Sequence, residues 1–497
     1  YILDRKGEKL ALSLQTYSVY ARPRQVEQKK AAAVELSRVL ELPYQDILGS
    51  LNRNAPFVWI RRQVDLRYTR ALEQLDIPGI YVEKEYRRYY PYRGLAGHVI
   101  GFSGVDQTGL EGIEYQFDHI LHPDRKEDRP AGLRRGGTVT LTIDRFVQEI
   151  VEEEVERAYR QTGARIVTGI VLDPETGEVL ALANHPTYDL NTFTRYPDQV
   201  IRNKAITDMF EPGSTFKMFV AAALMDRELV TESDRFDCKG YVHVEGVTIH
   251  DTGVYGILDF RKVLEKSSNV GMVESARRID RAGLYESLRS FGFGTPTGIQ
   301  LPGEASGKLR KPAEWSGISK YAIAIGQEVA VTPLQLVSAA AAIANGGVLM
   351  QPRIVRRIQG PDGSLLKEYG QLQVRRVLEE DTASRLLDML TGVLSEGGTG
   401  YKARIEGYRI AGKTGTAQIA DHEHGGYLPG QFYASFVGFV PVPDPRIVIL
   451  VTLDRPVGEM YGGQTAAPVF RNIVERVAPY LNILPSFSEV YVLKDAS

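Results

Sequence analysis

The chain has 497 residues, which is too long for one ordinary hydrophobic core and predicts two or more domains. Its 43% hydrophobic and 25% charged residues are typical of a soluble globular protein. The formal net charge of −2 excludes a global electrostatic field that would attract nucleic acid or anionic lipid. The single cysteine, Cys238, excludes an intramolecular disulfide.

The pattern along the chain changes near residue 140. The first 140 residues mix short strand-like pieces with an Ala-rich helical stretch at 30–41. Apolar residues then recur at helical spacing after residue 145, and "RIVTGIVLDPETGEVLALANHP" predicts a β-hairpin that turns at 173–177. The remaining predicted elements are a mostly helical stretch at about 200–395, a second hairpin at 433–456 and a last helix at about 464–480.

Hairpins at both ends with helices between them predict one antiparallel sheet that is assembled from distant segments and flanked by helices. The fold class is therefore α+β, and a separate N-terminal region precedes the helix-flanked sheet. We place the boundaries at 1–141 for the N-terminal domain, 142–483 for the main domain and 484–497 for a tail.

The segment "MFEPGSTFKMFVAAALM" places Ser214 and Lys217 three residues apart at the start of an apolar helix, so that both lie on one helix face. A serine hydroxyl becomes a nucleophile when a base takes its proton, and a desolvated lysine can be that base. Alone, this pattern occurs frequently by chance, and a structural role is then the default interpretation.

A second motif lies in "LEKSSNVGMVESARRI", where Ser267 and Asn269 are two residues apart between helical segments. Both side chains can point into one cleft, the serine to relay a proton and the asparagine to bind a substrate amide. The simpler interpretation is a helix N-cap, because serine and asparagine are favoured there.

The third motif, in "GYRIAGKTGTAQ", has two interpretations. Gly407 to Thr414 matches the spacing of a nucleotide phosphate loop, which requires a helix directly after it. Strand-forming residues precede Lys413 and glycines follow Thr416, so we predict a strand. There Lys413, Thr414 and Thr416 suit a carboxylate, Gly415 lets the backbone approach the nucleophile, and the amides of Ser214 and Thr416 suit an oxyanion.

The three motifs in this order are the signature of penicillin-binding proteins and class A β-lactamases. The chain resembles, over nearly its whole length, the class B penicillin-binding proteins, which are peptidoglycan D,D-transpeptidases, and most closely the division type (FtsI-like). The segments that carry the resemblance include "FGFGTPTGIQLPGE", "AVTPLQLVSAAAAIANGG", "RYYPYRGLAGHVIGF" and "GLEGIEYQFD".

The resemblance implies a transpeptidase domain behind an elongated pedestal domain. It implies that Ser214 forms an acyl-enzyme on the D-Ala-D-Ala stem peptide, that an amine of a neighbouring stem accepts the acyl group, and that β-lactams acylate the same serine. Lys217 is the expected base. Ser267, Asn269 and Lys413 are the other expected catalytic residues.

The resemblance also implies partners and a location. A SEDS-family glycan polymerase (FtsW- or RodA-like) and other division proteins are the expected partners. A single membrane anchor, upstream of Tyr1, is expected to hold this chain on the outer side of the cytoplasmic membrane. In the pedestal motifs we assign structural roles to Asp4, Arg5, Arg88 and Glu114, with an ion pair between Arg5 and Glu114.

We predict no cofactor and no metal. His422 and His424 could be two ligands, but no third ligand accompanies them, and a loop is the better interpretation. An elongation-type or a sporulation-type transpeptidase of the same class remains an alternative to the division type. A β-lactam sensor remains open as well, as does a β-lactamase whose water-activating base would be Glu304, Glu314 or Glu328, although no spacing marks one of them.

Overall fold

The computed structural model describes residues 1–122, 136–421 and 424–485. Their strands are β1 Ile2–Leu3, β2 Lys9–Ala21, β3 Val58–Val64, β4 Ile80–Tyr89, β5 Thr138–Leu141, β6 Ile166–Leu172, β7 Val179–His185, β8 Arg235–Cys238, β9 Tyr241–Val244, β10 Val247–His250, β11 Gly256–Asp259, β12 Val348–Met350, β13 Val355–Gln359, β14 Leu365–Glu368, β15 Gln373–Arg376, β16 Ala411–Ala420, β17 Tyr427–Val440 and β18 Ile447–Asp454.

Helices occupy both ends and the middle of the chain. They are α1 Lys29–Leu40, α2 Tyr44–Leu51, α3 Thr69–Glu73, α4 Gly97–Ile100, α5 Gly112–Gln116, α6 Asp118–Leu121, α7 Arg145–Thr162, α8 Asp198–Ile201, α9 Lys204–Thr207, α10 Lys217–Asp226, α11 Phe260–Lys266, α12 Asn269–Ala276, α13 Arg281–Ser290, α14 Ser319–Ala324, α15 Pro333–Ala344, α16 Glu380–Thr391 and α17 Gly462–Tyr480. Short 3-10 turns connect several of them, and the turn Gly213–Phe216 leads directly into α10.

The main sheet has five antiparallel strands in the order β16-β17-β18-β6-β7. Helices α7 and α17 contact each other as well as strands of this sheet, and α15 contacts β6 and β18. The predicted α+β fold, with an antiparallel sheet built from two distant hairpins and flanked by helices, is confirmed. Strand β16 lies at the edge of the sheet, which leaves its outer side open to a cleft.

Local sequence explains where α7 begins and ends. The Asp144 carboxylate accepts hydrogen bonds from the amides of Phe146 (3.1 Å) and Val147 (3.4 Å), which satisfies free donors of the first turn. Gly163 ends the helix with φ of 59°, a left-handed conformation that glycine adopts without steric cost.

A second sheet forms the pedestal, with strands in the order β14-β13-β5-β1-β2-β3 and β4 paired to β2. Two of its strands, β13 and β14, come from the middle of the chain. The tip of the pedestal has its own hydrophobic cluster, which includes Val19, Leu36, Leu51 and Val58 and is separate from the main core. This tip, built by α1, α2 and parts of β2, β3 and β4, is called the head below.

Two expectations need correction. Arg5 pairs with Glu178 (2.9 Å), and Glu114 pairs with Arg88 (2.6 Å), so the predicted Arg5–Glu114 ion pair is wrong. The stretch at 200–395 also contains the eight short strands β8 to β15. Each has only three to five residues, which is too short for a periodic pattern to be read from the sequence.

Candidate active site

Ser214 lies in the 3-10 turn Gly213–Phe216, and Lys217 is the first residue of α10. A backbone hydrogen bond to a distant loop holds this turn in place. Gly213 donates its amide to the Gly326 carbonyl (3.0 Å) and has φ of 55°. The three-residue spacing predicted from the sequence therefore places the lysine one turn beyond a half-buried serine at the cleft.

The Lys217 side chain is completely buried (0% exposed), and its ammonium nitrogen contacts the second motif. Nζ lies 2.7 Å from Asn269 Oδ1, 2.5 Å from the Ser267 carbonyl oxygen and 3.3 Å from Ser267 Oγ. Burial lowers the pKa of Lys217 to about 7, although the nearby Asp251 carboxylate opposes this shift. A lysine with this pKa is partly neutral at physiological pH and can accept a proton.

Lys413 reaches the same hydroxyl from the opposite side. Its Nζ donates to Ser267 Oγ at 2.9 Å and to the Thr414 carbonyl at 3.2 Å. Burial, followed by repulsion from Lys217, holds the pKa of Lys413 well below its usual value. The two buried lysines thus converge on the Ser267 hydroxyl, which can pass a proton between them.

Lys413 is also 0% exposed, so it is part of the core as well as of the cleft. Its strand, β16, runs unbroken from Ala411 to Ala420. The strand continues past Thr414 to Ala420, so the structure supports the strand interpretation, and no helix N-terminus of the kind that a phosphate loop requires is found directly after Thr414 in the described residues.

The strand passes very close to the serine turn. A Cβ atom on Gly415 would lie 2.3 Å from Ser435 Oγ and 2.9 Å from the Pro212 carbonyl oxygen, so this position requires glycine. Thr416 Oγ1 accepts a hydrogen bond from the Gly462 amide (3.1 Å), and Thr414 Oγ1 donates to Thr399 Oγ1 (2.8 Å).

In the second motif, Ser267 is not the helix N-cap that the simpler interpretation suggested. Ser268, rather than Ser267, caps α12 by accepting from the Gly271 amide (2.9 Å). Ser267 ends α11 in a left-handed conformation with φ of 57°, which is uncommon for a residue with a Cβ. Such strain, held at a residue that both lysines contact, is typical of functional sites.

Asp251 belongs to the site and was missed in the sequence. Its carboxylate accepts from Ser268 Oγ (2.6 Å) and from the amides of Asn269 and Val270. The Asn269 Nδ2 group donates to the His250 carbonyl (2.8 Å), which fixes the side-chain amide. Asp251 follows a short exposed strand about 16 residues before Ser267, and no motif or spacing in the sequence marks it.

The remaining predicted residues lie outside this cluster. Asp4 is buried and accepts from the amides of Lys6 and Glu8 in its own turn. His422 lies outside the described residues, and His424 Nδ1 lies 3.1 Å from Asp421 Oδ2.

The three glutamates considered as a hydrolytic base accept structural hydrogen bonds. Glu304 accepts from Thr297 and Gly298, Glu314 accepts from the Lys311 amide, and Glu328 accepts from Ser319.

A half-buried serine in a 3-10 turn, a buried lysine one turn away and a second lysine on an edge strand fit a serine acyl-transferase site. A family model described as "Penicillin binding protein transpeptidase domain" matches residues 167–475, and one described as "Penicillin-binding Protein dimerisation domain" matches residues 1–136. The chain belongs to the penicillin-binding protein transpeptidase family, and the predicted resemblance to its class B, FtsI-like members is confirmed.

Named relatives include the peptidoglycan D,D-transpeptidase FtsI of Escherichia coli (strain K12), 33% identical over 97% of this chain and 84% of that protein. Stage V sporulation protein D of Bacillus subtilis (strain 168) is 32% identical over 98% of this chain and 79% of that protein. A crystal structure of penicillin-binding protein 3 from Mycobacterium tuberculosis, complexed with aztreonam, has a TM-score of 0.80 and 31% identity, and covers 97% of this chain and 96% of that chain.

Proposed function

We propose that the chain is a peptidoglycan D,D-transpeptidase that cross-links stem peptides through an acyl-enzyme on Ser214. One observation carries the proposal: two fully buried lysines, Lys217 and Lys413, converge on the Ser267 hydroxyl beside the Ser214 turn. The relatives named peptidoglycan D,D-transpeptidase support the same reaction.

In the acylation step, Ser214 Oγ attacks the carbonyl carbon of the penultimate D-Ala while neutral Lys217 takes its proton. The amides of Ser214 and Thr416 stabilise the oxyanion. The bond to the terminal D-Ala then breaks, and its amine receives a proton through Ser267, which Lys413 keeps polarised. An amine from a second stem peptide later attacks the ester and reforms the free serine.

Substrate binding uses the edge of β16. Lys413 and the hydroxyl of Thr416 suit the terminal carboxylate, because a charge-assisted hydrogen bond contributes about 1.5–3 kcal/mol. The Thr414 hydroxyl donates its proton to Thr399 Oγ1 instead. Thr416 Oγ1 already accepts from Gly462, so its proton remains available for donation to that carboxylate. Asn269 keeps a second amide hydrogen for the substrate backbone after donating to His250.

β-Lactams would acylate Ser214 as mimics of D-Ala-D-Ala. Related crystal structures are complexes of penicillin-binding protein 3 with aztreonam and with ampicillin, which supports this expectation.

We further propose septal duty on the outer side of the cytoplasmic membrane, together with a SEDS-family glycan polymerase of the FtsW or RodA type. The FtsI relatives favour division, whereas the sporulation relative keeps that alternative open. Among the helices of residues 1–122, 136–421 and 424–485, none combines the length and the apolar character that a bilayer span requires.

We also propose that the domain boundary lies near residue 141. The five-stranded sheet contains only strands that follow this residue. The pedestal sheet, however, takes β13 and β14 from the middle of the chain, so its boundary is not continuous in sequence.

Intact-mass measurement after incubation with benzylpenicillin tests the function. One adduct per chain is expected, located by peptide mapping at Ser214 and absent in Ser214→Ala. An adduct that persists in Ser214→Ala would reject the assignment, and release of the adduct within seconds would instead indicate a β-lactamase.

A further inference from the structure

A cavity of about 430 Å³ lies beyond the far end of the catalytic edge strand. Gln418, Ile419 and Ala420 of β16 form part of its wall, and Glu211, three residues before the nucleophile, forms another part. Apolar contacts come from Phe210 and Tyr433, whose rings stack at 4.0 Å. The cavity therefore lies further along the same strand, next to the segment that precedes the serine turn, and its lining does not include the lysine cluster.

The proposed chemistry fixes the direction in which a stem peptide runs along this strand. Its terminal carboxylate lies at Lys413, and its scissile carbonyl lies between the amides of Ser214 and Thr416. Upstream residues must then continue past Gln418. Because a strand rises about 3.3 Å per residue, the third residue from the peptide's C-terminus reaches the mouth of the cavity.

The cavity is lined by charges of both signs. Its acidic and basic residues are Lys204, Asp208, Glu211, Lys308, Arg310, Glu328, Asp454 and Arg455. Several of them are already engaged: Arg310 pairs with Glu328, and Asp208 lies 2.7 Å from Arg202. A bare cation or a bare anion would therefore meet like charges as well as unlike ones.

Asp454 stands out among these groups. Its side chain is 14% exposed, and its nearest ion-pair partner, Arg455, lies at 3.7 Å, beyond hydrogen-bond distance. In the part of the chain that the structure describes, no hydrogen bond to its carboxylate is found. Burial raises the pKa of Asp454, because desolvation, helped by repulsion from Asp208, outweighs the attraction of Arg455, Arg165 and Lys204. A carboxylate in this condition gains from an incoming ammonium group.

Lys308 supplies a complementary cation. It is exposed at the cavity wall, and its backbone pairs with Ala330, which also lines the cavity. No ion pair of its ammonium group is found within residues 1–122, 136–421 and 424–485.

We propose that this cavity binds the side chain of the third stem-peptide residue, and that the fitting residue is a diamino acid whose side chain ends in an ammonium and a carboxylate on one carbon. Asp454 receives the ammonium and Lys308 the carboxylate. This inference rests on the proposed transpeptidase function, since that function sets the peptide's direction.

The test uses three synthetic pentapeptides that end in D-Ala-D-Ala and carry meso-diaminopimelate, L-lysine or L-norleucine at the third position. Each peptide competes with acylation by 6-aminopenicillanic acid, which lacks an acyl side chain, and the adduct is followed by intact mass. The diaminopimelate peptide should halve the acylation rate at a concentration about tenfold lower than the norleucine peptide, since charge-assisted contacts distinguish them.

Two variants separate the charges. Asp454→Asn should remove the advantage of lysine over norleucine, and Lys308→Gln should remove the advantage of diaminopimelate over lysine. These are ratios between peptides within one protein sample, so they do not depend on the folded fraction. Asp444→Asn, an exposed aspartate at the opposite end of the same hairpin, should keep all wild-type ratios.

Equal competition by all three peptides in the wild type, with normal acylation by 6-aminopenicillanic acid, would overturn the cavity assignment alone. Unchanged ratios in both Asp454→Asn and Lys308→Gln would overturn it as well. Failure of 6-aminopenicillanic acid to acylate Ser214 in the wild type would instead reject the transpeptidase function itself.

Discussion

In the proposed mechanism, Lys217 couples the reactivity of Ser214 to pH. Its pKa of about 7 is low because burial penalises the ammonium, and only the neutral amine can take the serine proton. Acylation by benzylpenicillin should therefore be slow at pH 5, rise through a midpoint near pH 7 and level off above pH 8. Quenched-flow mixing of the protein with benzylpenicillin at constant ionic strength, with the adduct detected by intact mass, measures this profile.

A variant at Asp251 tests whether Lys217 sets the midpoint of this pH profile. Its negative charge favours the ammonium form and raises the pKa of Lys217. Asp251→Asn removes that charge, so the midpoint should move to lower pH even if the maximal rate falls. A midpoint that stays in place or moves to higher pH would show that Lys217 is not the titrating base.

Because Ser267 has a left-handed backbone conformation, variants at this residue should change stability and activity in different ways. A residue with a Cβ loses roughly 1–2 kcal/mol in this conformation, whereas glycine adopts it freely but loses about 0.5–1 kcal/mol in chain entropy. Ser267→Gly should therefore be more stable than Ser267→Ala by up to about 1.5 kcal/mol, because both variants lose the hydroxyl that accepts from Lys413 and only the backbone effect differs between them. It should nevertheless be acylated at least about 100-fold more slowly, because the relay hydroxyl is gone.

Ser267→Ala is the control for that variant, since it loses the hydroxyl but keeps the strained backbone. Urea unfolding gives the stability and intact mass gives the acylation rate. Wild-type acylation in either variant would exclude a role of the hydroxyl in proton transfer.

At the scale of elements, the catalytic geometry depends on how closely β16 lies against the serine turn. Gly415→Ala would place a Cβ 2.3 Å from Ser435 Oγ and 2.9 Å from the Pro212 carbonyl. The strand must then move away from the turn, which should cost about 1–3 kcal/mol and slow acylation at least tenfold. Gly370→Ala, at a site with no atom within 4 Å, should change neither quantity. Normal acylation of Gly415→Ala would mean that the strand position is not critical.

The elements that could be predicted from the sequence are those with strong local signals. The hairpin that turns at 173–177 has a run of turn residues between apolar strands, and α7 has a periodic apolar face and an aspartate cap. The order of the three motifs also predicted residues that meet in space. Ser267 lies within 3.3 Å of both Lys217 and Lys413, as a shared cleft requires.

The contacts that could not be predicted depend on long-range packing. Asp251 reaches the second motif because the hairpin β9-β10 and strand β8 of the pair β8-β11 pack against α12, and no periodicity marks those strands. Arg5 pairs with Glu178 across 173 residues, which local sequence cannot specify. The complete burial of Lys413 was also unexpected, because a lysine in a substrate cleft is usually assumed to be solvated.

At the scale of the whole molecule, Glu178 joins the base of the pedestal to the main sheet. It lies just before β7, is 2% exposed and lies within 3.0 Å of Arg5, Arg353 and Arg356. Arg5 follows β1 and the other two arginines flank the start of β13, so one carboxylate ties three chain segments together. Among the described residues, in contrast, the buried hydrophobic side chains of the head form a cluster separate from the main core.

The two tryptophans of the chain report on these parts separately, since Trp59 lies in the head and Trp315 in the main core. Glu178→Gln leaves three arginines with a weaker partner, and removing one member of a buried pair costs about 3–5 kcal/mol. In a Trp59→Phe background, the urea midpoint reported by Trp315 should fall accordingly. In a Trp315→Phe background, the midpoint reported by Trp59 should stay unchanged, because none of the ion pairs of Glu178 found in the described residues involves the head. The exposed Glu175→Gln, in the same turn, should shift neither midpoint. Equal shifts at both tryptophans would show that the head and the main core unfold as one cooperative unit, contrary to their separate clusters.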